Sequence, residues 1–252
     1  MNYSLKHTSI IISMLFLSLI SCKDTGKNTT NFEIKENNES KIMSNDNDKT
    51  FNFLPKSTTN EIVVHENFTL SYNEKYEQAE WVAYELKGNS RNNSNFKRPY
   101  FIEDDLVKTG SASWKNYKNS GYDKGHLCPA GDMKFSKEAY DATFFTSNIS
   151  PQKHSFNDGI WNTLEQKVRY WAIKYNGIHV VTGGILSDDL ETIGKENVAV
   201  PKYFYKVLLD TSRGDYKMIG FLVPAEDSDL PLYKFVVPVN EIEKIDRNRF
   251  LF

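Results

Sequence analysis

The stretch best equipped for chemistry in this 252-residue chain is Asp123-Lys124-Gly125-His126, where a carboxylate, an ammonium group and an imidazole stand within four positions. Gly121 and Gly125 free the backbone, and Pro129 disfavours a helix just before it, so the stretch is predicted to form a turn. Histidine has a near-neutral pKa that suits proton transfer. Four such residues most often form a charged loop in solvent. Whether they form a functional site here therefore depends on the rest of the sequence.

The remaining histidines limit the classes of chemistry open to the chain. Five histidines, at positions 7, 65, 126, 154 and 179, include no two that lie three or four residues apart. A zinc-binding pair on one helix is therefore absent, and so are a Gly-x-Ser-x-Gly elbow and a phosphate-cradling glycine loop. His65 and His179 are expected to pack or to face solvent. His154 lies in a polar segment and is open to either interpretation.

The N-terminus predicts export. Lys6 and His7 precede an apolar run, 10–20, that is too short to span a bilayer comfortably and has the layout of a secretory signal peptide. The ending Leu19-Ile20-Ser21-Cys22 resembles the lipobox of bacterial lipoproteins, so Cys22 is the predicted lipidation site and residues 1–22 the signal peptide. A cleaved signal with an incidental cysteine, or an uncleaved anchor, is the alternative. The expected location is the bacterial cell envelope, on its periplasmic or surface face.

Composition divides the rest of the chain into a tether and one domain. Residues 23–60 are rich in polar and charged side chains and are expected to be disordered, because they cannot bury enough apolar surface to offset chain entropy. Residues 61–252 are dense in aromatic and β-branched side chains and suffice for one domain. If Cys22 is acylated, Cys128 has no partner for a disulfide and is predicted to be a small buried hydrophobe.

The charge balance does not favour a general polyanion binder. The net charge is −2, whereas proteins that bind nucleic acid without specificity are often basic. A nucleic-acid function would therefore depend on a local site and a metal ion.

Strands and helices alternate without a regular βαβ pattern, which predicts an α+β fold with a largely antiparallel sheet and flanking helices. Helices are expected at 136–142 with Ser136 as N-cap, at 156–176 with Gly177 ending the helix, and at 240–245. The predicted strands are Ile62–Val64, Phe68–Tyr72, Trp81–Leu86, Phe144–Thr146, Ile178–Thr182, Tyr203–Leu209 and Tyr216–Val223.

Three motifs in order carry a family resemblance: Asp123–His126, Ser147–Gln152 and Asn157–Glu165. They resemble the signature of the sugar-non-specific DNA/RNA endonucleases, the endonuclease G-like ββα-metal nucleases, and the similarity continues to the end of the chain. The resemblance implies a ββα-metal core on a mixed, largely antiparallel sheet. It also implies DNA and RNA as substrates, and it leaves a homodimer open.

The resemblance assigns a catalytic base and a metal ligand. The family histidine at His126 is the general base, and the asparagine at Asn157 is the one protein ligand of Mg²⁺, with Mn²⁺ or another divalent cation also open. Magnesium keeps several waters and uses few protein groups, so one amide oxygen suffices. Glu165 matches a glutamate that contacts the metal through water. An unbroken helix would place it roughly 12 Å from Asn157, which favours that outer role over direct ligation; an exposed helix carboxylate is the alternative.

Four further residues are expected to support this site. Asn148 matches a position that supports the histidine and metal region, and Gln152 is a candidate for a phosphate or structural contact. Asp123 is expected to shape the turn. Lys124 stands where the family has arginine, so it is expected to contact phosphate without the planar fork that grips phosphate at two points.

A second departure from the family lies upstream. Ser111 occupies the region in which endonuclease G-like members carry an arginine, and Arg98, Lys108 and Lys115 are the cations that could replace it. If that arginine stabilises the transition state, its loss would cost activity by orders of magnitude.

These observations lead to one main hypothesis and two competing ones. The main hypothesis is a metal-dependent, lipid-anchored endonuclease that cuts DNA and RNA with little sequence preference. The first alternative is a catalytically weak or inactive nucleic-acid-binding envelope lipoprotein, which the missing arginine favours. The second is a structural or partner-binding lipoprotein, for which only the tether and the acidic balance speak.

Overall fold

Eleven strands lie in the part of the chain that the structure, a computed structural model, describes: residues 53–89, 94–212 and 216–246. Seven strands form one antiparallel sheet in the order β1-β2-β3-β6-β9-β10-β11, and β4–β5 and β7–β8 form two separate antiparallel pairs. The bounds are β1 Ile62–Val64, β2 Thr69–Asn73, β3 Gln78–Leu86, β4 Asp123–His126, β5 Ile149–Gln152, β6 Ile178–Gly184, β7 Thr192–Ile193, β8 Val198–Ala199, β9 Tyr203–Asp210, β10 Lys217–Pro224 and β11 Val236–Val237.

Helices complete the described part of the chain. They are α1 Lys137–Ala142, α2 His154–Phe156, α3 Asn162–Tyr175 and α4 Val239–Asp246. A π-helical segment, Asn157–Trp161, joins α2 to α3, and short 3-10 helices occupy Trp114–Tyr117, Ala130–Asp132, Thr146–Asn148 and Leu232–Phe235. The predicted α+β class with a largely antiparallel sheet is confirmed.

The central strands alternate between two apolar layers because successive side chains of a strand point to opposite faces. Val180 of β6 and its neighbour Leu208 of β9 join the layer that α3 covers. Val181 and Val207, one position along, join the layer that Ile242 of α4 covers. The sheet is therefore buried on both faces, and its central strands read as continuous apolar runs.

The helix signals in the sequence locate two helix ends well. Ser136 is the N-cap of α1, where its side chain accepts a hydrogen bond from the Ala139 N–H at 3.0 Å, as predicted. Helix α3 ends one residue earlier than Gly177 suggests, because Asn176 takes the left-handed C-cap conformation with φ of 60°. Asparagine tolerates this conformation through local hydrogen bonding.

Two predictions about the central motifs are wrong. Asp123–His126 is a strand rather than a turn, because it pairs residue by residue with β5. The predicted strand Phe144–Thr146 does not form: Phe145 makes one isolated bridge to Ile102, and Thr146 begins a 3-10 helix. Both segments are too short for periodicity to decide their structure.

The expected N-terminal segments lie mostly outside the described residues. The signal peptide, Cys22 and residues 23–52 of the tether belong to the part that the structure does not describe. Residues 53–60, predicted as the end of the tether, pack against the sheet: the Trp81 indole donates to the Lys56 carbonyl at 3.2 Å, and buried Glu80 accepts from the Thr58 N–H at 2.8 Å. Among the described helices, none has the length and apolar character that crossing a membrane requires.

Candidate active site

The site is built on the β4–β5 hairpin. His126 pairs with Ile149, Gly125 with Ser150 and Asp123 with Gln152. Gly125 is required by packing, since a Cβ atom there would lie 2.2 Å from the Gln152 side chain. Gln152 is fully buried, and its amide nitrogen and oxygen have no hydrogen-bond partner among the described residues.

Asn148 clamps the chain immediately after His126. Its Oδ1 accepts from the Cys128 N–H at 2.8 Å, and its Nδ2 donates to the Cys128 and Thr143 carbonyls at 3.0 and 2.9 Å. The Leu127 N–H donates to the Asn148 carbonyl at 2.9 Å. Because every side-chain hydrogen bond of this buried amide goes to backbone, Asn148 fixes the path of the strand that carries His126.

His126 lies against an aromatic wall. Its ring centroid is 5.5 Å from that of Phe101 and 4.9 Å from that of Phe144, and the second contact is edge-on. The residue is half-buried, and its Nε2 atom is out of solvent without a partner among the described residues. Burial, with a smaller contribution from the Arg98 charge, lowers the pKa of His126 from 6.5 to about 3. The imidazole is therefore neutral at neutral pH.

Two cations rest on the same wall. The Arg98 guanidinium carbon lies 5.4 Å from the ring centroids of Phe101 and Phe144. The Lys124 ammonium lies 5.3 Å from the Phe101 centroid and 5.8 Å from that of Tyr117. Cations over ring faces are held by the ring quadrupole without being neutralised. Positive charge is therefore presented beside His126.

At the other end of β4, Asp123 gathers two polar side chains. Its Oδ2 atom accepts from Asn157 Nδ2 at 3.0 Å and contacts His154 Nδ1 at 2.8 Å. Burial raises the pKa of Asp123, but the hydrogen bonds from Asn157 and His154 outweigh burial and lower it below its ordinary value. The His154 pKa is raised, chiefly by its hydrogen bond to Asp123. Asp123 thus makes specific contacts beyond the predicted shaping of the backbone.

The helix after the hairpin is interrupted between Asn157 and Glu165. Within the π-helical segment, Gly159 has φ of −92° and ψ of −115°, which are not helical angles. The assumption of an unbroken helix is therefore wrong, and the distance argument built on it for Glu165 does not hold. The kink lets Asn157 contact the hairpin while α3 packs on the sheet.

Glu165 belongs to a group of enclosed charged side chains on and around α3. Arg169 lies one helical turn further along α3, 3.8 Å from Glu165 and 2.7 Å from the buried Asp132 carboxylate. Tyr84 donates to the other Asp132 oxygen at 2.8 Å. Burial raises the pKa of Glu165 to about 7, and the nearby Lys206 charge opposes that shift. Glu165 is therefore an enclosed carboxylate and not an exposed helix residue.

The cations proposed as replacements for the family arginine are distributed over three places. Arg98 lies beside His126, whereas Lys108 pairs with Glu61 at 3.4 Å on the surface, and Lys115 lines a separate cleft. Ser111 itself is buried, and its hydroxyl group forms a hydrogen bond of 2.7 Å with the Thr146 hydroxyl group. The same Ser111 oxygen accepts a hydrogen bond from the Asp104 N–H. Its side chain is engaged inside the domain.

Sequence reasoning missed three residues around the site. Phe101 and Phe144 flank His126, but only the fold brings them together, so no local pattern could have identified them. Arg169 carried a signal, because a glutamate and an arginine four residues apart on a helix face each other.

A divalent cation fits the residues around Asn157. The Asn157 side-chain nitrogen donates a hydrogen bond to Asp123, so the side-chain oxygen of Asn157 is the atom that could bind a metal ion. The Asp123 carboxylate provides further oxygen atoms close by. Hard oxygen donors suit Mg²⁺ and Mn²⁺. Within the described ranges, no group of three or more His, Cys, Asp or Glu side chains could hold a metal, so a site here would depend on few protein ligands.

Several known proteins are similar to this chain in sequence and architecture. The family model for DNA/RNA non-specific endonucleases matches residues 46–252. Human mitochondrial endonuclease G is 33% identical over 194 residues, covering 71% of this chain and 65% of that protein. Nuclease C1 of Cunninghamella echinulata var. echinulata is 32% identical over 214 residues, covering 76% of this chain and 83% of that protein.

Structural comparison gives the same result. A chain in the crystal structure of an EndoG/EndoGI complex, which describes the mechanism of EndoG inhibition, matches with a TM-score of 0.70 and 32% identity. The match covers 75% of this chain and 85% of that one. The chain thus belongs to the DNA/RNA non-specific endonuclease family, although it spans less than two thirds of the human relative's length.

Proposed function

We propose that this protein is a divalent-metal-dependent endonuclease that hydrolyses phosphodiester bonds of DNA and RNA with little sequence preference. The observation that carries the proposal is the β4 strand, which bears a neutral histidine among cations at one end and the Asp123–Asn157 pair at the other. Four strand residues span only about 10 Å, so both groups can act on one phosphodiester. Membership of the nuclease family supports the reaction class.

His126 is the proposed general base. Because Nε2 is enclosed, Nδ1 is the nitrogen that we propose to accept a proton from the attacking water. The water oxygen then forms a bond to phosphorus while the bond to the leaving oxygen breaks. A pKa near 3 makes a weak base, but an anionic phosphate brought close to the ring would raise that pKa by favouring the imidazolium form.

Arg98 and Lys124 are the proposed electrostatic partners of the phosphate. Both cations lie on the rings that hold His126, so they face the place where negative charge would increase. Arg98 offers the planar fork that Lys124 lacks. This placement supports Arg98 as the functional replacement for the arginine that the sequence lacks near Ser111.

Asn157 and Asp123 are the proposed holders of Mg²⁺, or of Mn²⁺ in its place. The ion, when bound, would stabilise charge on the phosphate and on the departing oxygen. Asp123 would orient the Asn157 amide, and Glu165, enclosed with Arg169 and Asp132, would support the site from below. Asn148 and Gln152 would hold the hairpin that carries these groups.

We also propose that the chain is exported and anchored to the cell envelope through a lipid on Cys22. The signal peptide and lipobox pattern support this location. The anchor would bring a membrane into contact with the protein, and a homodimer stays a prediction that the family resemblance suggests.

A nucleic-acid-binding protein with little turnover is the second candidate. The observation in its favour concerns Ser111, which stands in the region where relatives are expected to carry an arginine. Ser111 is buried and hydrogen-bonded to the Asp104 backbone and to Thr146, so it brings no positive charge to the site. Both candidates predict that the protein binds nucleic acid, but only the first predicts that it hydrolyses phosphodiester bonds.

A cleavage assay separates them. Full-length protein in non-ionic detergent is incubated with supercoiled plasmid and with RNA, with Mg²⁺ or with chelator. We expect nicking that requires the metal and that falls by about 10²- to 10⁴-fold in His126→Ala. The matched control is His179→Ala, since His179 lies on β6 and packs against Phe53. Binding without cleavage under any divalent ion would favour the second candidate, and equal cleavage by His126→Ala would exclude His126 as the base.

A further inference from the structure

A cleft of about 720 Å³ opens beside the active hairpin. It lies between the 3-10 helix Trp114–Tyr117 and the tip of the β7–β8 hairpin, and its volume is in the range of about 300–1,000 Å³ typical of ligand sites. Three exposed lysines point to its chemistry: Lys115, Lys118 and Lys195.

The cleft is held by packing rather than by flexible side chains. Gly194, with φ of 71°, lets the hairpin tip approach so closely that a Cβ atom there would lie 2.2 Å from Asn116 Oδ1. The Glu196 N–H donates to that same oxygen at 3.2 Å, and the Asn116 Nδ2 donates to the Ser113 carbonyl at 2.8 Å. These contacts fix Lys195 opposite Lys115 and Lys118.

The residues that line the cleft carry a net charge of +1, from three lysines against Glu103 and Glu196, although the whole chain carries −2. Glu196 accepts hydrogen bonds from the Ser113 N–H at 2.9 Å and from Asn116 Nδ2, so one oxygen of its carboxylate is held against the wall of the cleft. Across the described residues, none of the three lysines forms an ion pair within 4.0 Å. Among the described residues that line the cleft, Glu103 is the other acidic one.

The cleft is separate from the candidate active site but adjoins it, because the 3-10 helix that forms one wall of the cleft packs against β4. Tyr117 ends the 3-10 helix that carries Lys115, and its ring lies 5.8 Å below the Lys124 ammonium. Lys124 also lies over Phe101, the ring against which His126 packs. The lysines of the cleft and the cations beside His126 therefore lie on either side of one 3-10 helix.

We propose that this cleft binds the phosphodiester backbone of the nucleic-acid chain flanking the cleaved bond. The inference rests on the proposed nuclease function and extends it, because it assigns a binding site outside the reacting centre. Lysine ammonium groups that neutralise phosphates supply affinity without sequence preference. A local group of lysines can attract a polyanion even though the whole chain is slightly acidic.

The test replaces all three lysines with glutamine in the full-length protein. The Kd of a long single-stranded DNA oligonucleotide is measured by fluorescence anisotropy with chelator present, so that binding is read without cleavage. We expect the salt dependence of log Kd to weaken by about 0.7 per lysine for this single strand, and Kd at low salt to rise by roughly tenfold or more. Where cleavage is observed, kcat/KM should fall more for the oligonucleotide than for a dinucleotide.

The matched control changes Lys174, Lys217 and Lys234 to glutamine, which alters net charge equally at exposed positions outside the cleft. A second variant, Gly194→Ala, keeps every charge and displaces the hairpin tip, and it should weaken DNA binding in the same direction. Wild-type Kd and salt slope in the triple variant would overturn the proposal, as would an equal loss in the control. Absence of cleavage by the wild type refutes the proposed function but leaves the binding result decisive for the cleft.

Discussion

The two ends of strand β4 perturb their ionisable groups in opposite ways. At Asp123, hydrogen bonds from Asn157 and His154 overcome burial and lower the pKa of the carboxyl group. At His126, burial, with a smaller contribution from Arg98, lowers the pKa to about 3, and Nε2 has no hydrogen-bond partner within the described part of the chain. Hydrogen bonds set the direction of the pKa shift at Asp123, whereas burial sets it at His126.

The difference shows how one short strand can serve two purposes. Hydrogen bonding keeps Asp123 ionised, so it can hold an amide and attract a cation. Burial of the ring on its Nε2 side keeps His126 neutral, so its ring can accept a proton. The two side chains stand three positions apart along β4 and contact different neighbours, so their environments are distinct. Each end can therefore be altered separately.

The largest effect is expected from breaking the hydrogen-bonded end with Asp123→Ala. The substitution leaves the Asn157 amide without its partner, and loss of such an orienting contact typically costs about 10- to 100-fold in metal affinity. Binding of Mn²⁺ measured by electron paramagnetic resonance reads this effect without activity. The control is His154→Ala, which removes an exposed partner of Asp123 and should cost less than about fivefold. Unchanged Mn²⁺ affinity in Asp123→Ala would contradict the orienting role.

A smaller effect is expected from opening the aromatic end with Phe144→Leu. Water then reaches His126, so its pKa should rise from about 3 toward 6.5, as followed by the histidine proton resonance in an NMR titration. Activity should consequently decline several-fold below about pH 6, where the wild type still holds a neutral ring. Phe221→Leu removes a buried ring that packs on Trp171 and serves as the control. A His126 pKa that stays near 3 in Phe144→Leu would refute the role of this wall.

The smallest effect concerns Glu165, which lies outside both ends of β4. Its pKa of about 7 exceeds the ordinary 4.5 because it is buried, so the unfolded chain releases this proton at lower pH than the folded protein does. Folding stability contributed by the group therefore declines as pH rises from about 4.5 to 7. Glu165→Gln does not titrate, so its Tm relative to wild type should increase between pH 5 and pH 8. A constant Tm difference across that range would show that Glu165 titrates normally.

The sequence predicts the sheet well and the surroundings of the site poorly. Strands such as Ile178–Gly184 and Tyr203–Asp210 are recognisable because β-branched and other apolar residues in a sheet buried on both faces give long apolar runs. The hairpin strand Asp123–His126 has no such pattern, since its pairing is fixed by Gly125 and Gln152 across the hairpin.

The same contrast holds for individual site residues. His126, Asn157 and Asp123 were identifiable from motifs, and the structure links Asn157 to Asp123 directly. The aromatic wall is not identifiable from the sequence, because Phe101 and Phe144 are distant from His126 along the chain and contact it only in the folded protein. The kink at Gly159 was also missed, since a hydrophobic period continues across a local change of backbone angles.

Gly125 and Gln152 have a consequence for how this chain can vary. The space that a side chain at position 125 would need is already filled by Gln152, at 2.2 Å. Any larger residue at 125 is therefore tolerated only if position 152 shrinks in the same lineage. The two positions form a coupled pair across the hairpin, and substitutions at either one are expected to be epistatic rather than independent.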